Sequence, residues 1–433
     1  MAAEGLRLTP FRGLRYAPDR VGSLAAVTSP PYDVVVRPDG LHHLETANPY
    51  NIVRLILPHG PNGSPAAHHT QAARTLNEWR ESGVLRRDAR PALYVYEQRT
   101  RSVLQRGLVG ALQLPRSEGV VLPHEEVIDE VVADRAALME AIAANPEPLL
   151  LSYRGAAETT GAAAVIERAV HGTPLLATTT EDGTEHRLWA VTDPAELAEA
   201  AGDLAHRTAL IADGHHRWAT YLRLRDAHAP AGAGERSPWE SGLVLLVDTD
   251  RYPLQVQAIH RVLPRLPLQR ALDLAAPHFR VRALHVPLPQ AAHALRETPG
   301  NAYLLTEDGE TFHLLDAPEP GLLARTVRTD RPEAWRSLDA TVLHSTLLDS
   351  VWHVQDVSGT IEYLHNTSAA IAKAASWGGT AVLMRPVAES TVRELAEQGV
   401  TMPRKSTSFG PKPATGLVLR TLDGTGAGEP SSS

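Results

Sequence analysis

Apolar positions along this chain come in short runs whose period changes from segment to segment. PALYVYEQRT (91–100) and GLVGALQL (107–114) are two strand-like runs joined by a short polar link, which predicts a β-hairpin. TTEDGTEHRLWAV (179–191) sets Asp182-Gly183 between two further runs, and NAYLLTEDGETFHLLD (301–316) does the same with Asp308-Gly309. Asp-Gly suits tight turns that need positive φ, so both predict hairpins. SGLVLLVD (241–248) is apolar throughout and reads as a buried strand.

Helical spacing takes over elsewhere. In 66–83, Ala72, Leu76, Trp79 and Arg80 recur at helical intervals and Gly83 follows the last turn. Residues 134–144, 271–279, 341–352 and 389–399 also read as helices, alternating with strands such as the one in TAVLMRPV (380–387). TSPPYDVV (28–35) and NPYNIVRLILP (48–58) are punctuated by proline and predict turns, the second feeding a short β-branched strand. The mixture of helices with many short hairpins fits an α+β fold better than a regular doubly wound sheet. The proline-rich LPRLPLQR (263–270) predicts a boundary between a domain at 1–265 and a smaller α/β domain at 266–424. The polar, small-residue end at 425–433 predicts a disordered tail.

Composition narrows the function classes. The chain has 433 residues, of which 43% are hydrophobic, ample for two cores. Its formal net charge of −8 and the lack of a basic helix-turn-helix segment argue against nucleic acid or an anionic membrane as partner. Cysteine is absent, which excludes disulfides, zinc ribbons, iron–sulfur clusters and thiol catalysis. The N-terminal MAAEGLRLTPFRGLRY lacks a signal-peptide core, and no uncharged run approaches the ~20 residues of a membrane span. A soluble, cytoplasmic protein is expected.

Candidate chemistry concentrates in three places. In LIADGHHRWATYLRL (210–224), Leu210–Ala212 read as a strand, Asp213-Gly214 as a turn and His215 onward as a helix. Free N–H groups at the helix start, with His215, His216 and Arg217, suit an anion such as phosphate. Asp213 beside them suggests either a bridging Mg²⁺ or a proton acceptor. Adjacent histidines point ~100° apart on a helix, so the pair is unsuited to sharing one metal ion. The face carrying Trp218, Tyr221 and Leu222 is free to bury. In VVLPHEEVIDE (120–130), His124, Glu125 and Glu126 occupy a loop from which a carboxylate can act on an alcohol as general base. In VTMPRKSTSFGPKPATGLVL (400–419), Lys405, Ser406 and Thr407 offer an ammonium and two hydroxyls, without the spacing of a Walker loop.

Taken in order, TPFRGLRYAP, SPPYDV, NPYNIVRL, PALYVYEQ, VLPHE, HRLWAVTDP, IADGHHRWAT and MPRKSTSFGPKPATGLV resemble a large bacterial family known as domain of unknown function ten-fifteen, some of whose members are labelled ParB-like. The chain is also similar to archaeal free-serine kinase, of the ParB/sulfiredoxin superfamily, at Pro123–Glu125, Ile211–Trp218 and Met402–Thr407. The stretch from Glu125 to Asp213 is longer here, with the Asp182-Gly183 hairpin in between, and Ser408 stands where that kinase has arginine.

The resemblance implies a ParB/sulfiredoxin-like N-terminal core with inserted hairpins. It implies a kinase that uses ATP or ADP with Mg²⁺ to phosphorylate free L-serine or a similar small hydroxylated metabolite. Glu125 would be the base and Asp213 would sit at the reacting centre, with Mg²⁺ on it. Gly214, His215, His216 and Arg217 would face nucleotide phosphates, His124 and Trp218 the substrate, and Lys405, Ser406 and Thr407 would close the site. A ParB-like DNA-associated nucleotide switch and a metal-dependent phosphoesterase are the alternatives; sulfiredoxin chemistry is excluded because it needs a cysteine.

Overall fold

A computed structural model describes residues 5–35, 38–59, 63–229, 237–357 and 359–422. The expected tail at 425–433 lies outside the described residues. The chain forms two compact units: Met1–Pro123 with Val127–Leu254 and Pro411–Ser433, and His124–Glu126 with Gln255–Gly410. Where the sequence suggested a change at 265/266, the backbone leaves the first unit after Leu254 and rejoins it at Pro411.

The first unit is built on a nine-stranded mixed sheet. Its strands are β1 (Leu8–Thr9), β2 (Leu93–Arg99), β3 (Leu104–Gln113), β4 (Val121–Leu122), β5 (Leu149–Tyr153), β6 (Leu176–Thr179), β7 (Glu185–Val191), β8 (Ala209–Asp213) and β9 (Ser241–Asp248). Their spatial order is β4-β8-β5-β9-β3-β2-β7-β6, with β1 pairing β3. Only β4–β8 and β5–β9 pair in parallel; the other contacts in the sheet are antiparallel, as an α+β fold requires. Both expected hairpins of this unit form: β2 with β3, and β6 with β7 across Gly183 at φ +80°.

Central strands β5, β8 and β9 are buried on both faces, which is why they read as continuous apolar runs rather than alternating ones. One face carries a core that includes Leu149, Leu151, Ile211, Leu246 and Trp218. Helices α1 (Pro65–Glu81), α2 (Asp129–Ile142), α3 (Gly161–Val170), α4 (Pro194–Leu204) and α5 (His215–Ala227) also belong to the unit. Leu76 and Trp79 of α1 and Leu138 of α2 share a second core with Leu14, Val53 and Leu419.

The strand expected in NPYNIVRLILP is instead a single helical turn, Val53–Ile56. Asn51 decides it: its Oδ1 accepts from Val53 N–H at 2.9 Å while its amide donates to the carbonyls of Ala26 and Thr28. With the backbone turned by Asn51, Ile52, Val53, Leu55 and Ile56 are all buried.

The second unit holds a six-stranded sheet of β10 (His260–Leu263), β11 (Arg280–Leu284), β12 (Tyr303–Thr306), β13 (Phe312–Asp316), β14 (Glu362–Leu364) and β15 (Thr380–Leu383). The order is β11-β13-β12-β15-β10-β14. The expected β12–β13 hairpin forms with Gly309 at φ +80°. Every pairing in this sheet is antiparallel, so helices alternate with strands along the sequence without producing the parallel ladder of an α/β domain. No helix among the described residues is long and apolar enough to cross a membrane.

Candidate functional site

The end of β8 carries the chemistry. Asp213 is its last residue, Gly214 follows at φ +100° and α5 starts at His215. A side chain at 214 would be strained by that φ and would meet Leu149 Cδ2 at 2.4 Å, so glycine is required for the sharp passage from strand to helix.

Arg217, one helical turn on, folds back onto the same carboxylate. Its Nη2 donates to Asp213 Oδ2 at 2.8 Å and its Nη1 to the Pro148 carbonyl at 3.0 Å. The residue is only 1% exposed. Burial works against its charge, but Glu147, Asp213 and Asp33 outweigh that and hold the guanidinium firmly protonated. Sequence reasoning turned this arginine toward nucleotide phosphate. The structure turns it inward, because an unpaired buried guanidinium would cost several kcal/mol and a carboxylate lies one turn away.

The other oxygen of Asp213 is also occupied. Lys412 Nζ lies 2.5 Å from Asp213 Oδ1 and 2.6 Å from Asp33 Oδ2. Burial alone would lower the lysine's pKa, but these carboxylates raise it above its ordinary value. Burial disfavours the charge on Asp33 as well, and Lys412 with Arg217 reverses that, leaving its carboxyl below the usual range.

Glu147 ties the surrounding loops together. Its Oε1 accepts from Tyr32 N–H at 2.9 Å and from Thr415 Oγ1 at 3.5 Å. Burial pushes its carboxyl up, with Arg217 opposing. The guanidinium of Arg135 lies over the Tyr32 ring at 4.8 Å and that of Arg217 at 5.7 Å. Four segments far apart in sequence thus converge: SPPYDV, the Glu147 turn, DGHHR and the PKPATG loop.

That last loop is held from beneath by the β2–β3 hairpin. Pro411 O accepts from Gln98 Nε2 at 2.9 Å and from Gln105 Nε2 at 3.3 Å, and Ala414 N–H donates to Tyr96 Oη at 3.2 Å. Tyr96 Oη also meets His186 Nδ1 at 2.8 Å. Burial lowers the pKa of His186 to about 4, with Asp182 opposing. The unfolded chain therefore takes up this proton near pH 6.5 and the folded chain only near 4, so the stability His186 contributes is complete above pH 6.5 and is lost as pH falls toward 4. About 2 kcal/mol should disappear between pH 7 and pH 5. Urea unfolding at both pH values should show that part of the difference vanishing in His186→Gln.

The remaining expected residues fall elsewhere. His215 is buried. His216 Nε2 accepts from Ile128 N–H at 3.1 Å, so one ring nitrogen links the start of α5 to the start of α2. Trp218, expected beside substrate, is 7% exposed and belongs to the apolar core, because it lies on the helix face turned to the sheet. His124, also expected beside substrate, is buried; its Nε2 lies 3.0 Å from Thr407 Oγ1 and its ring meets Phe409 edge-on. Thus His124, Thr407 and, through the contiguous loop, Glu125, Lys405 and Ser406 belong to the second unit. Ser406 Oγ donates to the Pro403 carbonyl, and Lys405 is exposed with its backbone at φ +54°.

The expected Mg²⁺ on Asp213 does not fit this geometry, since a cationic side chain faces each of its oxygens. Among the described residues no group of three or more His, Cys, Asp or Glu is placed to hold a metal ion. Sequence reasoning missed Lys412, Asp33 and Glu147. Lys412 lies between Pro411 and Pro413 and Asp33 two positions after Pro31, both in motifs quoted for the resemblance. Glu147 lies between Pro146 and Pro148 in a stretch that sequence reasoning did not single out; the nearby prolines were the available signal.

The family model described as "Protein of unknown function (DUF1015)" matches residues 8–341. No protein of curated function matches the chain. Among solved structures, the chain is similar to free serine kinase in complex with AMP at 15% identity and a TM-score of 0.33, over 70% of this chain and 88% of that one. SbnI with C-terminal truncation from Staphylococcus aureus shows 11% identity and a TM-score of 0.35, over 72% and 86%. A conserved hypothetical protein from Pyrococcus furiosus shows 15% identity and a TM-score of 0.30, over 67% and 87%.

Proposed function

This chain belongs to the DUF1015 family, and from that premise we propose that it is a nucleotide-dependent phosphotransferase whose acceptor is the hydroxyl of free L-serine or a similar small hydroxylated metabolite. One observation carries the reading: Asp213, at the mouth of a buried strand and against the start of α5, holds Arg217 and Lys412 on its two oxygens. Phosphoryl transfer asks a protein chiefly for positioning and for neutralisation of charge. A helix start supplies positive potential for phosphate, and a carboxylate locked in place by two cations supplies the positioning.

The finer assignments rest on the resemblance of the sequence motifs. They are a ParB/sulfiredoxin-like fold, ATP or ADP as donor, Glu125 as general base, and phosphate contacts from Gly214, His215, His216, Lys405, Ser406 and Thr407. Mg²⁺ belongs on the nucleotide phosphates in this reading, not on Asp213.

The test is direct. Purified protein with Mg²⁺, L-serine and each of ATP, ADP and CTP should yield phosphoserine with one donor. Glu125→Gln should abolish transfer while sparing nucleotide binding. No transfer to serine, threonine or homoserine from any donor would end the kinase reading, and phosphate release from phosphoserine without nucleotide would replace it with a phosphoesterase.

A further inference from the structure

We infer that Lys412, rather than a divalent metal, is the cation with which Asp213 works, its ammonium filling a seat made by Asp213 and Asp33. The distances define the seat: Nζ lies 2.5 Å from Asp213 Oδ1 and 2.6 Å from Asp33 Oδ2. Arg217 takes Asp213 Oδ2 at 2.8 Å, so each oxygen of that carboxylate already faces a positive side chain.

The charges of these four groups balance: two carboxylates against one ammonium and one guanidinium. A dication added at Asp213 would set four positive charges against two negative ones. Glu147, the next carboxyl, is 2% exposed and has its Oε1 engaged by Tyr32 and Thr415. A Mg²⁺ ion also needs near-octahedral oxygen coordination at ~2.1 Å, and Lys412 already holds Asp213 Oδ1 and Asp33 Oδ2.

The lysine is delivered, not merely nearby. Pro411 and Pro413 flank it. The Pro411 carbonyl is fixed by Gln98 and Gln105, Ala414 N–H by Tyr96, and Thr415 by a two-way backbone bridge to Ser29. The bridge with Ser29 also joins this loop to the SPPYDV loop that carries Asp33. Both walls of the seat and its occupant are therefore positioned by backbone contacts. The consequence is a site in which the cation opposite Asp213 is covalently attached and independent of metal supply, with Lys412 as a positioning residue that locks Asp213 to Asp33.

The inference deepens the phosphotransferase reading, but its test measures cation binding and needs no transfer, so the two can fail separately. Mn²⁺ serves as the probe, added to the full chain without nucleotide, with free Mn²⁺ followed by its electron paramagnetic resonance signal. Wild type and Asp213→Asn should take up the same amount. Lys412→Ala should gain Mn²⁺ uptake that disappears in the Lys412→Ala/Asp213→Asn double variant, and Lys412→Arg should gain none. Uptake by wild type that falls on Asp213→Asn overturns the inference whether or not the alanine variant folds. A folded Lys412→Ala, checked by its thermal melt, that gains nothing overturns it too, because a seat built for a cation must accept another.

Discussion

Arg217→Ala is expected to lower the stability of the folded chain by about 3–5 kcal/mol, the usual cost of removing one partner from a buried ion pair. The residue is among the largest fully buried side chains. Its loss leaves Asp213 with Lys412 alone, strips the Pro148 carbonyl of a donor and removes the main cation acting on Glu147. The deficit should depend on pH. Burial already raises the Glu147 carboxyl, and without Arg217 it rises further. A folded pKa above the unfolded one means stability present at low pH and lost as pH rises through the folded value. The gap between variant and wild type should therefore widen from pH 5 to pH 8 in urea titrations. An equal gap at both would show that the arginine matters for packing and not for charge.

Asp213→Asn should also cost stability, since it leaves the buried Arg217 guanidinium without that carboxylate. In the protein that remains folded it should reduce phosphoryl transfer on the order of 10²-fold or more, the effect expected when a reacting group shifts by about 1 Å. Asparagine keeps the shape of aspartate but drops the charge that holds Lys412 against Asp33 and Arg217 against the turn. The loss should fall on kcat, while nucleotide affinity stays level or improves as two cations lose a competing carboxylate. Steady-state phosphoserine formation together with nucleotide titration separates the two effects. An unchanged kcat would remove Asp213 from the site.

What the sequence disclosed follows from the range of each interaction. Hairpins at Gly183 and Gly309 and the strand–turn–helix at Asp213 are local, set by turn chemistry and apolar period, and they stand where they were expected. The turn at Val53–Ile56 was hidden because Asn51 reads as a loop residue until its amide is seen bonded to Ala26 and Thr28. The inward course of Arg217 was hidden for the same reason, since helix spacing gives its neighbours but not the depth at which its helix start is buried. Lys412 and Asp33 meet across 379 positions, and no local pattern reports a contact of that separation. Proline-flanked motifs that look like loop fixtures are where such a contact was to be sought.

The return of the backbone to the first unit at Pro411 also sets an order of events during synthesis. Leu419 belongs to a core shared with Leu14, Ile52 and Trp79, and Arg420–Thr421 pair with Ala144–Asn145. A ribosome that has released everything through β9 has therefore exported the nine-stranded sheet but neither this last stretch nor the lysine. The nascent first unit must wait, with Asp213 held by Arg217 but Lys412 not yet made, until the following domain's worth of chain has emerged. Its completion therefore follows synthesis of the second unit.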